Sequence, residues 1–302
     1  MWFWLSLVAL LCWSGSDLFS KIGCRDARDT YSHLKMVSAV GVVMGIHAAY
    51  EIFIGGVEIS LSIMWTYLPV SLLYIGSMAL GYLGLRYIEL SISSPICNAS
   101  GALVAITVLF TDGIGELGAP VLGAVLLVCA GVIGLGFVES SEDDALRAER
   151  QKKSNYRYAK SWLALALPLA YCLLDALGTF ADNRVLEVLD EGSANVAYEL
   201  TFLLAGLLCF FYVLVVKKDR LTLRAEGPKY TGAVFETAGQ FAYIYAIADT
   251  EHLALSAPII SAYCVASVIW SRIFLKEKLS TKHYLCILLV VIGIVIMGIY
   301  DV

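Results

Sequence analysis

Charged residues are scarce in this sequence. Lys, Arg, Asp and Glu together make up 16% of 302 residues, whereas about a quarter of the residues of a soluble domain are charged. Hydrophobic residues account for 59% of the chain, and the mean hydropathy is +0.77. This composition excludes an ordinary soluble domain and predicts a polytopic membrane protein whose surrounding partner is the lipid bilayer. We expect no nucleic-acid partner.

Signatures of catalysis and of metal binding are also missing. The chain has no GxSxG, HExxH or phosphate-loop motif, and its four histidines are scattered. The eight cysteines form no CxxC pair, and all but Cys24 lie in apolar segments, which predicts small apolar helix residues rather than a disulfide framework. We therefore expect no enzyme, no cofactor and no metal site. Because no basic residues precede the first apolar run, we interpret that run as a retained span.

Long apolar segments dominate what remains. A bilayer core needs about 20 apolar residues of helix, and polar breaks divide the chain into ten such segments. One long polar loop, residues 140–160, separates five spans from five. We predict an all-α membrane protein with a first five-helix repeat at 1–139, a charged loop at 140–160 and a second repeat at 161–302. The ten predicted spans are 2–22, 31–54, 64–86, 93–111, 118–138, 161–181, 194–216, 230–249, 254–274 and 283–300.

The two halves resemble each other in sequence. WLSLVALLCWSGSD (residues 4–17) aligns without a gap on WLALALPLAYCLLD (residues 162–175), so that Asp17 matches Asp175. Because each half contains an odd number of spans, the two repeats must be inverted. Inverted repeats are typical of secondary transporters.

Short motifs late in each half resemble a known family. They are a Ser-Pro or Ala-Pro step (Pro95, Pro258), a turn containing Glu116 or Glu277, and a glycine-rich last span (GVIGLGF, GIVIMGI). Together they resemble the EamA-like, ten-span branch of the drug/metabolite transporter superfamily. The resemblance implies a transport role, but its cargoes range over amino acids, nucleotide sugars, amines and drugs, so it does not supply the substrate.

Basic residues are distributed unequally between the loops. By our count, 18 of the 21 Lys and Arg residues lie on odd-numbered loops, and Arg184 lies on an even-numbered one. Lys and Arg in short loops stay cytoplasmic, so this bias predicts that both termini lie outside. The family resemblance implies cytoplasmic termini instead. We expect an integral protein of a bacterial-type plasma membrane.

Four carboxylates lie within predicted spans: Asp17, Asp175, Glu199 and Glu236. A carboxylate at the centre of a membrane helix costs about 2.5 to 3.5 kcal/mol on insertion scales, so it marks an aqueous path or a partner. Explanations without a role in transport stay open. Lys21 stands at i+4 from Asp17 and could neutralise it, or Lys35 could pair with Asp17 from the next span. Glu199 and Glu236 could reach the membrane interface or pair with loop cations.

Aromatic residues accompany these acids. Trp13 and Tyr171 each precede an aspartate by four residues, which places ring and carboxylate on one helical face. Cations are attracted to carboxylates and to aromatic faces alike. The candidate substrate-binding residues are Asp17, Asp175, Glu236, Glu199, Trp13, Tyr171, Tyr82, Tyr243 and Tyr74.

The leading hypothesis is a secondary transporter that moves a small cationic or zwitterionic amine by alternating access, with the proton as a candidate coupling ion. A first alternative is an exporter or importer of neutral or anionic metabolites of amino-acid or sugar type. A second is a non-transporting membrane subunit. Ten spans already contain both repeats, so the functional unit is a monomer or a homodimer.

Overall fold

The computed structural model describes residues 2–26, 28–100, 103, 118–141, 161–247, 260 and 263–300. These ranges form ten α-helices and contain no β-strand. The helices are α1 (Trp2–Cys24), α2 (Ser32–Tyr50), α3 (Leu61–Gly84), α4 (Leu90–Cys97), α5 (Ala119–Ser141), α6 (Ser161–Val185), α7 (Glu191–Phe211), α8 (Leu223–Ile247), α9 (Tyr263–Trp270) and α10 (Thr281–Ile299). Short π-helical turns extend α2 over Glu51–Gly55, α7 over Tyr212–Val216 and α9 over Ser271–Leu275.

Each predicted span overlaps one of these helices. Within the described ranges, five helical segments are long and apolar enough to cross a membrane: Trp2–Cys24, Ser32–Gly55, Leu61–Gly84, Leu165–Asp182 and Glu191–Val216. The all-helical, membrane-protein class is therefore confirmed. Ten crossings remain a prediction, because much of the fourth and ninth predicted spans lies outside the described residues.

Several helices begin before their apolar runs because polar residues cap them. Ser60 accepts a hydrogen bond from the backbone N–H of Ile63, and Asp190 accepts one from that of Ser193 at 2.8 Å. These N-caps start α3 and α7 three residues earlier than hydropathy predicts. The backbone hydrogen bond from Ser193 holds the pKa of the Asp190 carboxyl below its usual value.

The helices pack in pairs that join the two halves of the chain. The most extensive contacts are between α1 and α8, α2 and α7, α3 and α6, and α5 and α10, and the short helices α4 and α9 also contact each other. Each pair takes one helix from before residue 142 and one from after residue 160. The core is therefore built between the halves rather than within each half.

Small residues bring α2 and α7 into backbone contact. A Cβ atom added to Gly41 would lie 2.5 Å from the carbonyl oxygen of Phe202 and 3.0 Å from the Cα of Gly206. No side chain larger than hydrogen fits at Gly41 without separating the helices. In lipid the hydrophobic effect does not drive helices together, so van der Waals packing at small residues stabilises the pair instead.

A buried ion cluster closes one end of the bundle. Lys229 Nζ lies 2.9 Å from Asp29 Oδ2 and 3.3 Å from Glu226 Oε2. Lys35 Nζ lies 2.9 Å from Asp29 Oδ1 and 3.0 Å from Asp219 Oδ2. The side chain of Lys229 is fully buried. The cluster connects the α1–α2 loop with α2, with the α7–α8 loop and with the polar first turns of α8. Hydropathy alone places these first turns outside the helix.

Replacing Lys229 by Met should destabilise the protein, because it leaves an uncompensated negative charge in the cluster. Removing one partner of a buried ion pair costs about 3 kcal/mol or more. The measurement is thermal unfolding in detergent. The matched control is Arg28→Met, which breaks the exposed pair of Arg28 with Asp26, where the Arg28 side chain is 88% exposed. Equal melting temperatures of the two variants would contradict a stabilising role for the cluster.

Candidate functional site

Three carboxylates from three helices share one interior region: Asp17 of α1, Asp175 of α6 and Glu236 of α8. Glu236 lies within electrostatic range of both aspartates. All three side chains keep partial solvent accessibility although their helices belong to the packed bundle. They therefore lie inside the bundle without being fully covered by neighbouring atoms.

Asp17 is held by two hydroxyl groups from different halves of the chain. Ser94 Oγ, on α4, and Ser267 Oγ, on α9, each donate a hydrogen bond to Asp17 Oδ2 at 2.6 Å. Ser94 and Ser267 are buried. Ser94 belongs to the Ser-Pro step noted in the sequence, but nothing in the sequence indicates that Ser267 contacts Asp17.

The other two carboxylates also have hydroxyl partners. The Asp175 side chain is hydrogen-bonded to Ser100, which follows α4. Ser16, the residue next to Asp17, is the hydroxyl neighbour of Glu236. All three acids thus have neutral hydroxyl groups beside them. Among the described residues, none of the three forms an ion pair with a basic side chain.

The lysines that could have neutralised Asp17 are directed elsewhere. Lys21 Nζ donates to the carbonyl oxygens of Leu85 at 2.6 Å and of Ile88 at 2.5 Å, where it caps the C-terminal end of α3. Lys35 belongs to the ion cluster around Asp29. Neither lysine neutralises Asp17, because the geometry pairs Lys21 and Lys35 with other groups.

An aromatic group stands beside the carboxylates. The Trp13 ring lies 5.1 Å from the Tyr243 ring and 5.6 Å from the Tyr263 ring, centroid to centroid. Tyr263 is within electrostatic range of Asp17 and Glu236. Sequence reasoning selects Trp13 and Tyr243 but not Tyr263, because the start of α9 carries no carboxylate to draw attention to it.

Two glycines make room for the matched aromatics Trp13 and Tyr171. A Cβ on Gly81 of α3 would lie 2.8 Å from Tyr171 Cδ2, and a Cβ on Gly239 of α8 would lie 2.5 Å from Trp13 Cδ1. In both places a ring of one half is seated on a glycine of the other half. The position of each ring therefore depends on the absence of a neighbouring side chain.

Tyr82 and Tyr74 occupy different surroundings. Tyr82 is 6% exposed, lies within electrostatic range of Glu236 and Asp17, and its hydroxyl has no hydrogen-bond partner among the described residues. Tyr74 instead directs its hydroxyl to Asp182 at 3.5 Å, and Tyr67 donates to the same carboxylate at 2.7 Å. The predicted span 161–181 ends one residue before Asp182, so Asp182 is not among the candidates from the sequence. It nevertheless stands at i+7 from Asp175.

Glu199 is separated from the other three acids by its partner. Its carboxylate oxygens lie 2.9 and 3.0 Å from His47 Nδ1 on α2, and its side chain is 1% exposed. Asn195 also hydrogen-bonds to it. The structure therefore places Glu199 in the α2–α7 interface rather than with Asp17, Asp175 and Glu236.

The Glu-containing turn of the second half caps a helix of the first half. Glu277 Oε1 accepts from the backbone N–H of Leu90 at 3.1 Å, and Oε2 accepts from the N–H and the hydroxyl of Ser91 at 3.0 and 2.7 Å. A carboxylate at a helix N-terminus satisfies free donors and complements the helix dipole. Glu277 thereby fixes the start of α4, the helix that carries Ser94. Its counterpart Glu116 lies outside the described residues.

The helical bundle has a counterpart among solved structures. A crystal structure whose title states no function aligns over 97% of this chain and 94% of that chain, with a TM-score of 0.58 and 14% sequence identity. That likeness extends to the fold alone. No curated protein matches the sequence.

Apolar helices that enclose a polar, acidic interior define an integral membrane protein of the transporter class. A family comparison makes this specific: residues 162–299 match the EamA-like transporter family, in the drug/metabolite transporter superfamily. The match agrees with the resemblance that the sequence motifs indicate. The family consists of small-molecule transporters and is generally without enzymatic activity.

The contact between Gly81 and Tyr171 predicts an unequal response of two glycines on the same helix. Gly81→Ala should lower the melting temperature and displace the Tyr171 ring, because overpacking costs about 1 to 3 kcal/mol. Gly76→Ala is the matched control, since its Cβ would make an ordinary 3.6 Å contact with Leu174. Thermal unfolding of both variants tests the prediction. An unchanged Gly81→Ala protein would show that the ring is not seated as described.

Proposed function

We propose that the protein is a secondary transporter that moves a small cationic or zwitterionic amine across the membrane by alternating access. Asp17, Asp175 and Glu236 hold the ammonium group or exchange protons for it. Trp13, Tyr171, Tyr82 and Tyr243 supply the aromatic wall. Glu199 and Tyr74 act from outside this group, through the α2–α7 interface and through Asp182.

The observation that carries this proposal is the excess of acid in the interior. Asp17, Asp175 and Glu236 meet in a partly accessible region and form no ion pair with a basic side chain in the described part of the chain. Three anions in low dielectric repel one another and are poorly solvated. Such a site gains free energy by binding a cation or by taking up protons, and it disfavours an anionic cargo.

The aromatic side chains favour an organic cation over a metal ion. Trp13, Tyr243 and Tyr263 bring three π-systems next to the carboxylates. A desolvated contact between a cation and an aromatic face is worth about 2 kcal/mol. No group of three or more metal-ligating side chains occurs in the described ranges. A neutral metabolite would use the rings but would leave the charge of the acids unbalanced.

The helix pairing supports an inverted pair of repeats. Exchanging each helix for its sequence equivalent five places along the chain converts the α1–α8 pair into the α3–α6 pair, and leaves the α2–α7, α5–α10 and α4–α9 pairs unchanged. Two related halves around a shared axis would produce this pattern. Rocking of one half against the other would expose the carboxylates to each side in turn.

Several further properties belong to this proposal. The proton is the coupling ion, since the same carboxylates bind protons and ammonium groups. The functional unit is a monomer or a homodimer in a bacterial-type plasma membrane. Both termini lie outside, as the distribution of Lys and Arg favours, and a reporter fused after Val302 that works only in the cytoplasm would contradict this orientation.

The first measurement is the melting temperature of the purified protein with amines, sugars or organic acids. Amines should raise it, whereas sugars and organic acids should not. The best amine is then used for uptake into proteoliposomes. Asp175→Asn should lower its uptake about tenfold or more, because a hydrogen bond to a charged group contributes about 1.5 to 3 kcal/mol. Uptake by this variant should also lose part of its pH dependence.

Glu187→Gln is the matched control, because it removes a carboxylate just beyond α6 whose side chain is 65% exposed. Its uptake should equal that of the wild type. If Asp175→Asn keeps the wild-type rate and pH profile, the amine hypothesis is wrong. If only sugars or organic acids stabilise the protein, the neutral or anionic alternative replaces it.

A further inference from the structure

We propose that Ser94 and Ser267 are positioning residues that keep Asp17 ionised inside the bundle, so that Asp17 is the permanent anion of the cargo site. Asp175 and Glu236 are then the groups that gain and lose protons during transport. This inference rests on the proposed function for the identity of the cargo. The ionisation of Asp17 itself is measurable without any cargo.

Two hydroxyl donors on one oxygen favour the ionised form of Asp17. Both hydroxyls donate to the same oxygen, Oδ2, and both distances are 2.6 Å. Hydrogen bonds from a hydroxyl to a carboxylate anion are about 2.5 to 2.7 Å long, shorter than those between neutral groups. Hydrogen bonds to the charged form of an acid favour that form over the protonated one.

The second oxygen of Asp17 remains available. Oδ1 has no hydrogen-bond donor in the described part of the chain, and the Asp17 side chain is partly accessible. One oxygen therefore anchors the carboxylate to α4 and α9, and the other has no donor among the described residues. This division lets Asp17 receive an ammonium group without breaking its contacts to the two serines.

The arrangement does not recur around Asp175. In the alignment of the halves through Pro95 and Pro258, Ser94 corresponds to Ala257, which has no hydroxyl. Asp175 has the hydroxyl of Ser100 as its partner. Among the described residues, Asp17 thus has two hydroxyl donors and Asp175 has one. Fewer donors to the anion favour protonation of an acid.

The remaining titratable groups around Asp17 give its charge no support. Among the described residues, the titratable groups within electrostatic range of Asp17 are one carboxyl, two phenols and two thiols, and none of them is a cation. These groups are Glu236 on α8, Tyr82 on α3, Cys97 on α4, and Tyr263 and Cys264 on α9. Lys21, on α1 itself, is bonded to the end of α3. The serine hydroxyls are thus the donors that favour the anion.

The first test is an infrared titration of the purified protein without cargo. The absorption band of the protonated Asp17 carboxyl is assigned by its loss in Asp17→Asn. In the double variant Ser94→Ala/Ser267→Ala, this band should persist to a pH that is higher than in the wild type by about one or more, because two donors to the anion are gone. The single variant Ser267→Thr, which keeps a hydroxyl at this position, should titrate like the wild type.

Ser71→Ala is the matched control. Ser71 is fully buried in α3, and its hydroxyl has no hydrogen-bond partner among the described residues. Removing it should leave the Asp17 titration unchanged. An unchanged titration in the double variant, or an equal change in Ser71→Ala, would overturn the inference. If the double variant does not fold, each single variant should move the titration in the same direction by a smaller amount.

The second test measures binding of trimethylphenylammonium, a quaternary cation whose charge does not change with pH. At low pH the double variant should bind it about tenfold more weakly than the wild type, because the infrared change expected above corresponds to a tenfold lower fraction of ionised Asp17. At high pH the affinities should converge. A loss that persists at all pH values would indicate a structural defect and would contradict a role in ionisation.

The two tests separate the two proposals. If the infrared band moves as expected but no amine binds, the inference about Asp17 holds and the proposed cargo is wrong. If amines bind and the band does not move, the cargo proposal holds and the role of the serines is wrong.

Discussion

The central constraint in this protein is the placement of three carboxylates inside a membrane bundle without a basic partner in the described part of the chain. Water is scarce there, and an unpaired charge is costly. The structure meets the cost with hydroxyl groups: Ser94 and Ser267 for Asp17, Ser100 for Asp175 and Ser16 for Glu236. Neutral donors stabilise an anion without cancelling its charge. The interior therefore stays attractive to cations.

Helix contacts follow from the same constraint. Ser94 and Ser267 reach Asp17 because α4 and α9 lie next to α1, and Ser100 reaches Asp175 because it follows α4, which lies next to α6. Glu277 fixes the first turn of α4 from the opposite half. Glycines such as Gly81 and Gly239 let the aromatic rings approach the neighbouring helices. The site is thus formed by contacts between halves, and neither half contains it alone.

The residues at i+4 from the two aspartates differ in charge. Lys21, at i+4 from Asp17, caps α3 at the end of the bundle that also contains the ion cluster of Lys35 and Lys229. Thr179, at i+4 from Asp175, donates its hydroxyl to the backbone carbonyl of Asp175 in its own helix. The cations thus reinforce the end of the bundle formed by the odd-numbered loops.

Much of the architecture could be predicted from the sequence, because hydropathy and repeated motifs are local signals. The approximate helix positions came from such patterns, whereas the division at residues 140–160 and the alignment of Asp17 with Asp175 stay predictions. Helix starts were misplaced by three residues at α3 and α7, since caps such as Ser60 and Asp190 are polar and carry no hydropathy signal.

Composition and periodicity by themselves determined that this chain is a helical membrane protein with acids in its spans. Tertiary structure decided what each acid contacts. Lys21 is four residues from Asp17 in sequence yet bonds to Leu85 and Ile88, while Ser267, 250 residues away, donates to Asp17. The physical reason is that a long side chain bonds to the acceptors that helix packing brings within its reach. In a helical bundle those acceptors are supplied by neighbouring helices, whose identity no local pattern records.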